Sequence, residues 1–200
     1  HDQRVDHVTT AKGFINDFSL EQLTQLALGQ DQTIVSLSQA LASIAGRTQV
    51  NIEIKSTEYK TAEITKQLIL LKQEIAAAVT NHHFCHQQFI LSSFNHPLIQ
   101  HCKNHLPEIK RAALIAHLPL NLEQIADTLA CQYLNFDFSA INLQQVENAH
   151  QLGLKVWVYT VDEPHQITLC SKLKVDGIFT NFPQASREQL PRLKRADKYL

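Results

Sequence analysis

Residues Asn51-Ile52-Glu53-Ile54-Lys55 set a carboxylate and an ammonium two positions apart in a stretch with the alternation of a β-strand. Side chains alternate across a strand, so Asn51, Glu53 and Lys55 share one face while Val50, Ile52 and Ile54 share the other. A one-sided surface strand would leave the polar face in water. A strand buried on both faces would need its charges compensated by a metal ion, a substrate anion or a partner charge, because burying an unpaired charge is costly. Alternation leaves both open, and the second makes the stretch a site candidate.

The elements that would position these groups alternate after residue 48. Ile64, Leu68, Leu71, Ile75 and Val79 recur at helical spacing and predict a helix over 58–79. A strand over 88–94 follows, Pro97 opens a helix toward Leu106, and a strand covers about 111–116. Leu122, Ile125 and Leu129 mark another helix, and 132–138 reads as a strand. Asn142 with Gln145 forms an N-capping pair for a helix ending at Gly153. Residues 154–161 form a strand rich in β-branched and aromatic residues, Pro164 starts a helix through Leu173, and 175–180 is the last strand. Such alternation predicts an α/β chain with a parallel sheet. Residues 3–48 break the pattern: Ser19 with Gln22 and Ser36 with Gln39 look like capping boxes, so this segment is expected to be a mostly helical insertion.

The chain has 200 residues, 44% of them hydrophobic, and no Pro/Gly/Ser-rich linker divides it, so a single domain over 1–200 is expected. A formal net charge of −1 gives no basic field for nucleic acid or an acidic membrane. Apolar runs such as Leu68 to Leu71 are far too short for membrane insertion. Cys85, Cys102, Cys131 and Cys170 lack a C-x-x-C spacing and read as reduced thiols of a cytoplasmic protein. His82, His83, Cys85, His86, His96, His101, Cys102 and His105 invite a zinc reading, but their spacing is looser than a zinc site's, and a solvated loop and helix face accounts for them.

Further pieces stand in order along the chain: His1-Asp2, Gly13-Phe14-Ile15-Asn16-Asp17, Leu20-Glu21-Gln22-Leu23, Ile90-Leu91-Ser92-Ser93-Phe94, Val156-Trp157-Val158-Tyr159-Thr160-Val161, and Val175-Asp176-Gly177-Ile178-Phe179-Thr180-Asn181-Phe182-Pro183. Together with Asn-Ile-Glu-Ile-Lys, this series resembles the glycerophosphodiester phosphodiesterase family from the first residue to about Pro183. The resemblance implies a TIM (β/α)₈ barrel whose active site lies at the C-terminal ends of the strands. It also implies that a strand carrying His-Arg-Gly, a Pro-Glu-Asn-Thr turn and a strand with Glu-x-Asp would precede His1. A barrel of this type needs ~250 residues, so the chain is expected to lack its N-terminal strands and not to complete the site alone.

The implied activity is metal-dependent hydrolysis of a small glycerophosphodiester to glycerol 3-phosphate and an alcohol, a step of lipid and glycerol metabolism. Glu53 is then a ligand for Mg²⁺ or Ca²⁺, and Lys55 places charge on the phosphate or holds the carboxylate. His1 is the general acid or base, since an imidazole titrates near neutrality. Phe94 and Tyr159 line the mouth, Tyr159 standing where the family usually has Trp. His7 replaces a usual Arg, Asp162 a usual Asn, Asn181 a usual Asp and Val35 a usual Pro. Two alternatives remain: a catalytically silent barrel used for binding or structure, and a related lipid-directed phospholipase D.

Overall fold

The structure, a computed structural model, describes residues 2–29, 32–55 and 60–189. The chain divides into two compact units, His1–Thr48 with Leu71–Cys85, and Gln49–Leu70 with His86–Leu200.

The first unit is built from short elements. Helix α1 (Leu20–Gln25) and helix α2 (Leu37–Ile44) each start on the serine that the sequence marks. The Ser19 N–H donates to Gln22 Oε1 at 2.8 Å while the Gln22 N–H donates to Ser19 Oγ at 3.2 Å, and Ser36 with Gln39 repeats the arrangement. Each box satisfies two backbone donors that a helix start would otherwise leave open. Between the helices, β1 (Ala27–Gly29) and β2 (Gln32–Thr33) form an antiparallel ribbon that the apolar pattern does not announce, because all its described residues are exposed.

The second unit holds six parallel strands in chain order: β3 (Val50–Glu53), β4 (Phe89–Ser93), β5 (Lys110–Ile115), β6 (Tyr133–Asp137), β7 (Lys155–Tyr159) and β8 (Gly177–Ile178). Helix α3 (Thr61–Asn81) follows β3, and α4 (His96–His105), α5 (Leu122–Leu129), α6 (Leu143–Gln151), α7 (Pro164–Leu173) and α8 (Pro183–Gln189) follow the remaining strands, except that α3 continues into the first unit. A strand, a helix and then a parallel neighbour, repeated around the sheet, is the (β/α) barrel pattern. Every residue of β4 is buried, whereas β3 and β8 at the two ends of the sheet are half-buried. The last strand is shorter than its sequence signal, yet its pairing runs further: Asp176 N–H donates to Val156 O and Phe179 N–H to Val158 O, both at 2.8 Å.

Parallel register decides which side chains share a face. Glu53 pairs with Ser92, Ser92 with Ala112, Ala112 with Tyr133, and Tyr133 with Lys155. One step toward the strand C-termini, Leu114 pairs with Asn135, Asn135 with Trp157, and Trp157 with Gly177. These residues form the inner face, where Ile90, Ala112 and Tyr133 make a buried cluster with Trp157 packed against it. The opposite face meets the helices, as Arg111 demonstrates. Its buried guanidinium donates to the carbonyls of Leu129 at 3.2 Å, Ile109 at 3.0 Å and Ala130 at 2.9 Å, capping the C-terminal end of α5. Burial pushes the neighbouring Cys102 thiol up to about 12 and the Cys131 thiol up to about 11. Both are therefore protonated, poorly reactive groups that pack as small apolar side chains.

Gly177 is required by the inner packing. A Cβ there would fall 2.7 Å from Trp157 Cδ1 and 2.8 Å from Nε1, and the indole is wedged between Tyr133 (centroids 4.7 Å) and Phe179 (5.6 Å). Gly177→Ala is expected to cost ~1–3 kcal/mol by overpacking, read by urea denaturation. In a Trp157→Ala background the same change should be nearly neutral, because the two sites couple through contact. Equal costs in both backgrounds would remove the indole as the cause.

Candidate active site

Strand β3 delivers Glu53 and Lys55 to the C-terminal edge of the sheet, where Lys55 Nζ lies 2.6 Å from Glu53 Oε1. Their side chains are 29% and 38% exposed, so the polar face of this strand is neither fully in water nor fully enclosed, and each charge compensates the other. The strand end is fastened to its neighbour. Ile54 N–H donates to Ser92 O at 2.8 Å, and Ser93 Oγ donates to Ile54 O at 2.6 Å. Ser93 Oγ also accepts from Asn95 N–H at 3.1 Å, while Asn95 Oδ1 caps α4 through Leu98 N–H at 3.1 Å. The Ser-Ser-Phe-Asn run is thus a hydrogen-bonded link between the end of β3 and the start of α4.

Phe94 stands on that link, half exposed, and meets Tyr159 from the end of β7 edge-to-face with ring centroids 5.8 Å apart. Such an exposure is not that of a core residue. Burial, with the negative charges of Asp137 and then Glu53, raises the Tyr159 phenol well above its usual range, so it remains a neutral donor. Asp137 pairs with Tyr159 in register, and its Oδ1 accepts from Ser139 N–H at 2.8 Å and Ser139 Oγ at 2.6 Å.

Sequence reasoning missed Ser92, Asn135 and Asp137. Tyr133-Leu134-Asn135-Phe136-Asp137 alternates just as residues 51–55 do, so the same period would have placed Asn135 and Asp137 on the inner face. Asn51 Oδ1, Ser92 Oγ, both amide atoms of Asn135 and Tyr159 Oη are buried without a hydrogen-bond partner. Each such group costs ~1–3 kcal/mol if nothing else satisfies it.

At the end of the sheet, Asp162 Oδ1 accepts from Thr180 Oγ1 at 3.0 Å and Asn181 N–H at 2.8 Å, and Oδ2 accepts from Asn181 Nδ2 at 2.8 Å. The backbone and side-chain bonds from Asn181 and the Thr180 bond hold its carboxyl below the usual value, against a smaller opposing effect of burial. Asp162 and Asn181, which the sequence presents as separate residues, are therefore one hydrogen-bonded feature.

His1 lies outside the described residues. In the first unit His7 Nδ1 is 2.6 Å from Asp2 Oδ2. Two of the histidines from the zinc reading serve structure instead: His96 Nε2 donates to Leu114 O at 2.9 Å, and His105 Nδ1 donates to His101 O at 3.0 Å. Among the described residues no group of three or more His, Cys, Asp or Glu side chains converges on a metal position. Glu53 fits as one oxygen ligand of a divalent ion, and the described residues do not supply a complete shell.

Parallel strands with intervening helices, bearing an ion pair and an aromatic pair at the strand C-termini, define a chain of the TIM-barrel class with six of its strands present. It belongs to the glycerophosphoryl diester phosphodiesterase family, whose profile matches residues 1–185. It is 30% identical over 199 residues to a glycerophosphodiester phosphodiesterase of Caldanaerobacter subterraneus, covering 92% of this chain and 76% of that protein. A Bacillus altitudinis glycerophosphodiester phosphodiesterase is 24% identical with the same coverage. Its fold is similar to that of an Oleispira antarctica phosphodiesterase in complex with the product sn-glycerol 3-phosphate, at TM-score 0.81 and 22% identity, covering 95% of this chain and 77% of that one.

The Asp162–Asn181 pair generates a test. Asp162→Asn would set two amide groups against each other, lowering the melting temperature, whereas Asp162→Asn with Asn181→Asp should recover most of the loss. A carboxyl held below its unfolded value stabilises fully above that value and loses the contribution as pH falls through the folded one. The gap between the protein and Asp162→Asn should accordingly shrink below about pH 4 in urea melts. A gap independent of pH, with no recovery in the double variant, would contradict the assignment.

Proposed function

We propose that this chain carries the phosphate-facing rim of an enzyme that hydrolyses small glycerophosphodiesters to glycerol 3-phosphate and an alcohol. The observation that carries the reading is the Lys55–Glu53 pair, 2.6 Å apart on the strand end, beside the Phe94–Tyr159 aromatic pair. Phosphodiester hydrolysis develops negative charge on the non-bridging oxygens and on the leaving alcohol, so preorganised positive charge and neutral donors at that edge lower the barrier. Lys55 can exchange Glu53 for a phosphate oxygen, and Tyr159 stays protonated to donate. Phe94 and Tyr159 offer an apolar wall to the carbon skeleton. His1 is assigned the proton transfers on family resemblance. A divalent ion, Mg²⁺ or Ca²⁺, would supply further charge neutralisation when bound, and Glu53 is the residue here that would hold it.

A second reading, a catalytically silent barrel, is favoured by one fact: the Glu53 carboxylate is engaged by Lys55. Among the described residues no helix is long and apolar enough to cross a membrane. The buried thiols Cys102, Cys131 and Cys170 support placement in a reducing compartment such as the cytoplasm.

In the full-length protein, Glu53→Gln should abolish turnover of glycerophosphocholine and weaken metal affinity measured by calorimetry, with little change in folding. Lys55→Met keeps the stem and deletes the charge, so it should raise the barrier by roughly 2–4 kcal/mol. Normal rates in both variants would remove the pair from the chemistry, and a full-length protein that turns over no diester with Mg²⁺ or Ca²⁺ would support the silent reading.

A further inference from the structure

Helix α4 carries two imidazoles one turn apart. Leu98, Ile99 and Cys102 turn into the core, and His101 and His105 sit half-buried along the flank of that buried stripe. Their ring centroids are 6.2 Å apart, with the planes at 52°. The 3.0 Å bond between His105 Nδ1 and His101 O also fixes a tautomer. A carbonyl only accepts, so Nδ1 carries the proton, and in the neutral ring Nε2 keeps its lone pair. Histidines that ligate metals almost always donate their other ring N–H in this way, to a carbonyl, carboxylate or water. Among the described residues neither His105 Nε2 nor the His101 ring has a hydrogen-bond partner. An ion about 2.1 Å from one nitrogen of each ring allows centroids up to roughly 6.4 Å apart, so the observed separation is compatible with a shared ion.

We propose that His101 and His105 form a site for one divalent transition-metal ion of the nickel, copper or zinc type, which clamps the last turn of α4 while water fills the remaining positions. Two histidines at i and i+4 on one helical face are the spacing at which helices hold zinc, and neutral imidazole suits all three ions. Cys102, between them in sequence, is no third ligand, because it is fully buried on the core side. Cys102-Lys103-Asn104 also includes no carboxylate to serve as a base, so the site binds an ion without hydrolysing anything. It is separate from the rim, where the Glu53 carboxylate offers the oxygen ligand that Mg²⁺ and Ca²⁺ prefer. Since the two rings share a face only in the folded helix, the ion stabilises the native state.

The test is calorimetry of the untagged full-length protein with Ni²⁺, which does not oxidise the exposed Cys85 thiol, in excess Mg²⁺ to occupy the rim. One equivalent should bind, and His101→Gln and His105→Gln should each weaken that binding roughly 100-fold, because the bond to the second, tethered ring is intramolecular. His165→Gln, at an exposed histidine on α7, should leave it unchanged. His105→Asn with Lys103→His keeps the number of histidines but sets them two residues apart on different faces, so it should not recover the affinity. Ni²⁺ should also raise the melting temperature of the protein and not that of His101→Gln. No binding, binding that both single variants leave intact, an equal fall in His165→Gln, or recovery in the double variant would overturn the proposal. Loss of cooperative melting without metal in both single variants would overturn it as well, since the rings would then be structural groups.

Discussion

The parallel register of the six strands is the constraint on which everything else in the second unit depends. Because side chains alternate with a period of two, a slip of one residue in any strand would turn its inner-face groups toward the helices. Glu53, Ser92, Asn135, Asp137 and Tyr159 reach one face only while the pairs Glu53–Ser92, Leu114–Asn135 and Asp137–Tyr159 hold. Features on both faces pin that register. On the inner side the Trp157 indole fits only against the bare backbone of Gly177. On the helix side Arg111 is tied to carbonyls of Ile109, Leu129 and Ala130, and its misplacement would strand a buried cation. At the edge Ser93 fixes the end of β3 to β4.

Polarity changes along the inner face from one end of the strands to the other. Ile90, Ala112 and Tyr133 form an apolar cluster, while Asn135, and then Asp137 with Tyr159, one and two rungs further toward the C-terminal ends, are polar. The apolar part stabilises the sheet, and the polar part leaves unsatisfied groups that cost stability. Proteins tolerate such groups where function requires unpaired donors and acceptors, and stabilising replacements at those positions commonly sacrifice activity. The buried thiols do not share in this chemistry: Cys102 and Cys131 are held protonated by burial on the other side of the sheet.

Much of this arrangement was legible in the sequence. The alternation of strands and helices after residue 48, the capping boxes at Ser19 and Ser36, and the shared face of Asn51, Glu53 and Lys55 follow from local periodicity and capping chemistry, which short windows express. The ribbon of β1 and β2 was not legible, because its exposed residues carry no apolar alternation. Asn135 and Asp137 obey the same period as Glu53, but a single polar residue between hydrophobic neighbours looks like core tolerance until the register lines it up with others. Asp162 and Asn181 were visible as two unrelated residues, and their pairing emerges only when the loops after β7 and β8 are brought to hydrogen-bonding distance.

The central claim is that the strand C-termini form a phosphate-binding edge with Lys55 at its centre. The most direct measurement is a crystal structure of the protein with sn-glycerol 3-phosphate. The account predicts the phosphate within hydrogen-bonding reach of Lys55 Nζ, with the three-carbon chain against Phe94 and Tyr159. A well-ordered ligand bound elsewhere, with the Lys55–Glu53 pair intact and the aromatic pair untouched, would contradict it.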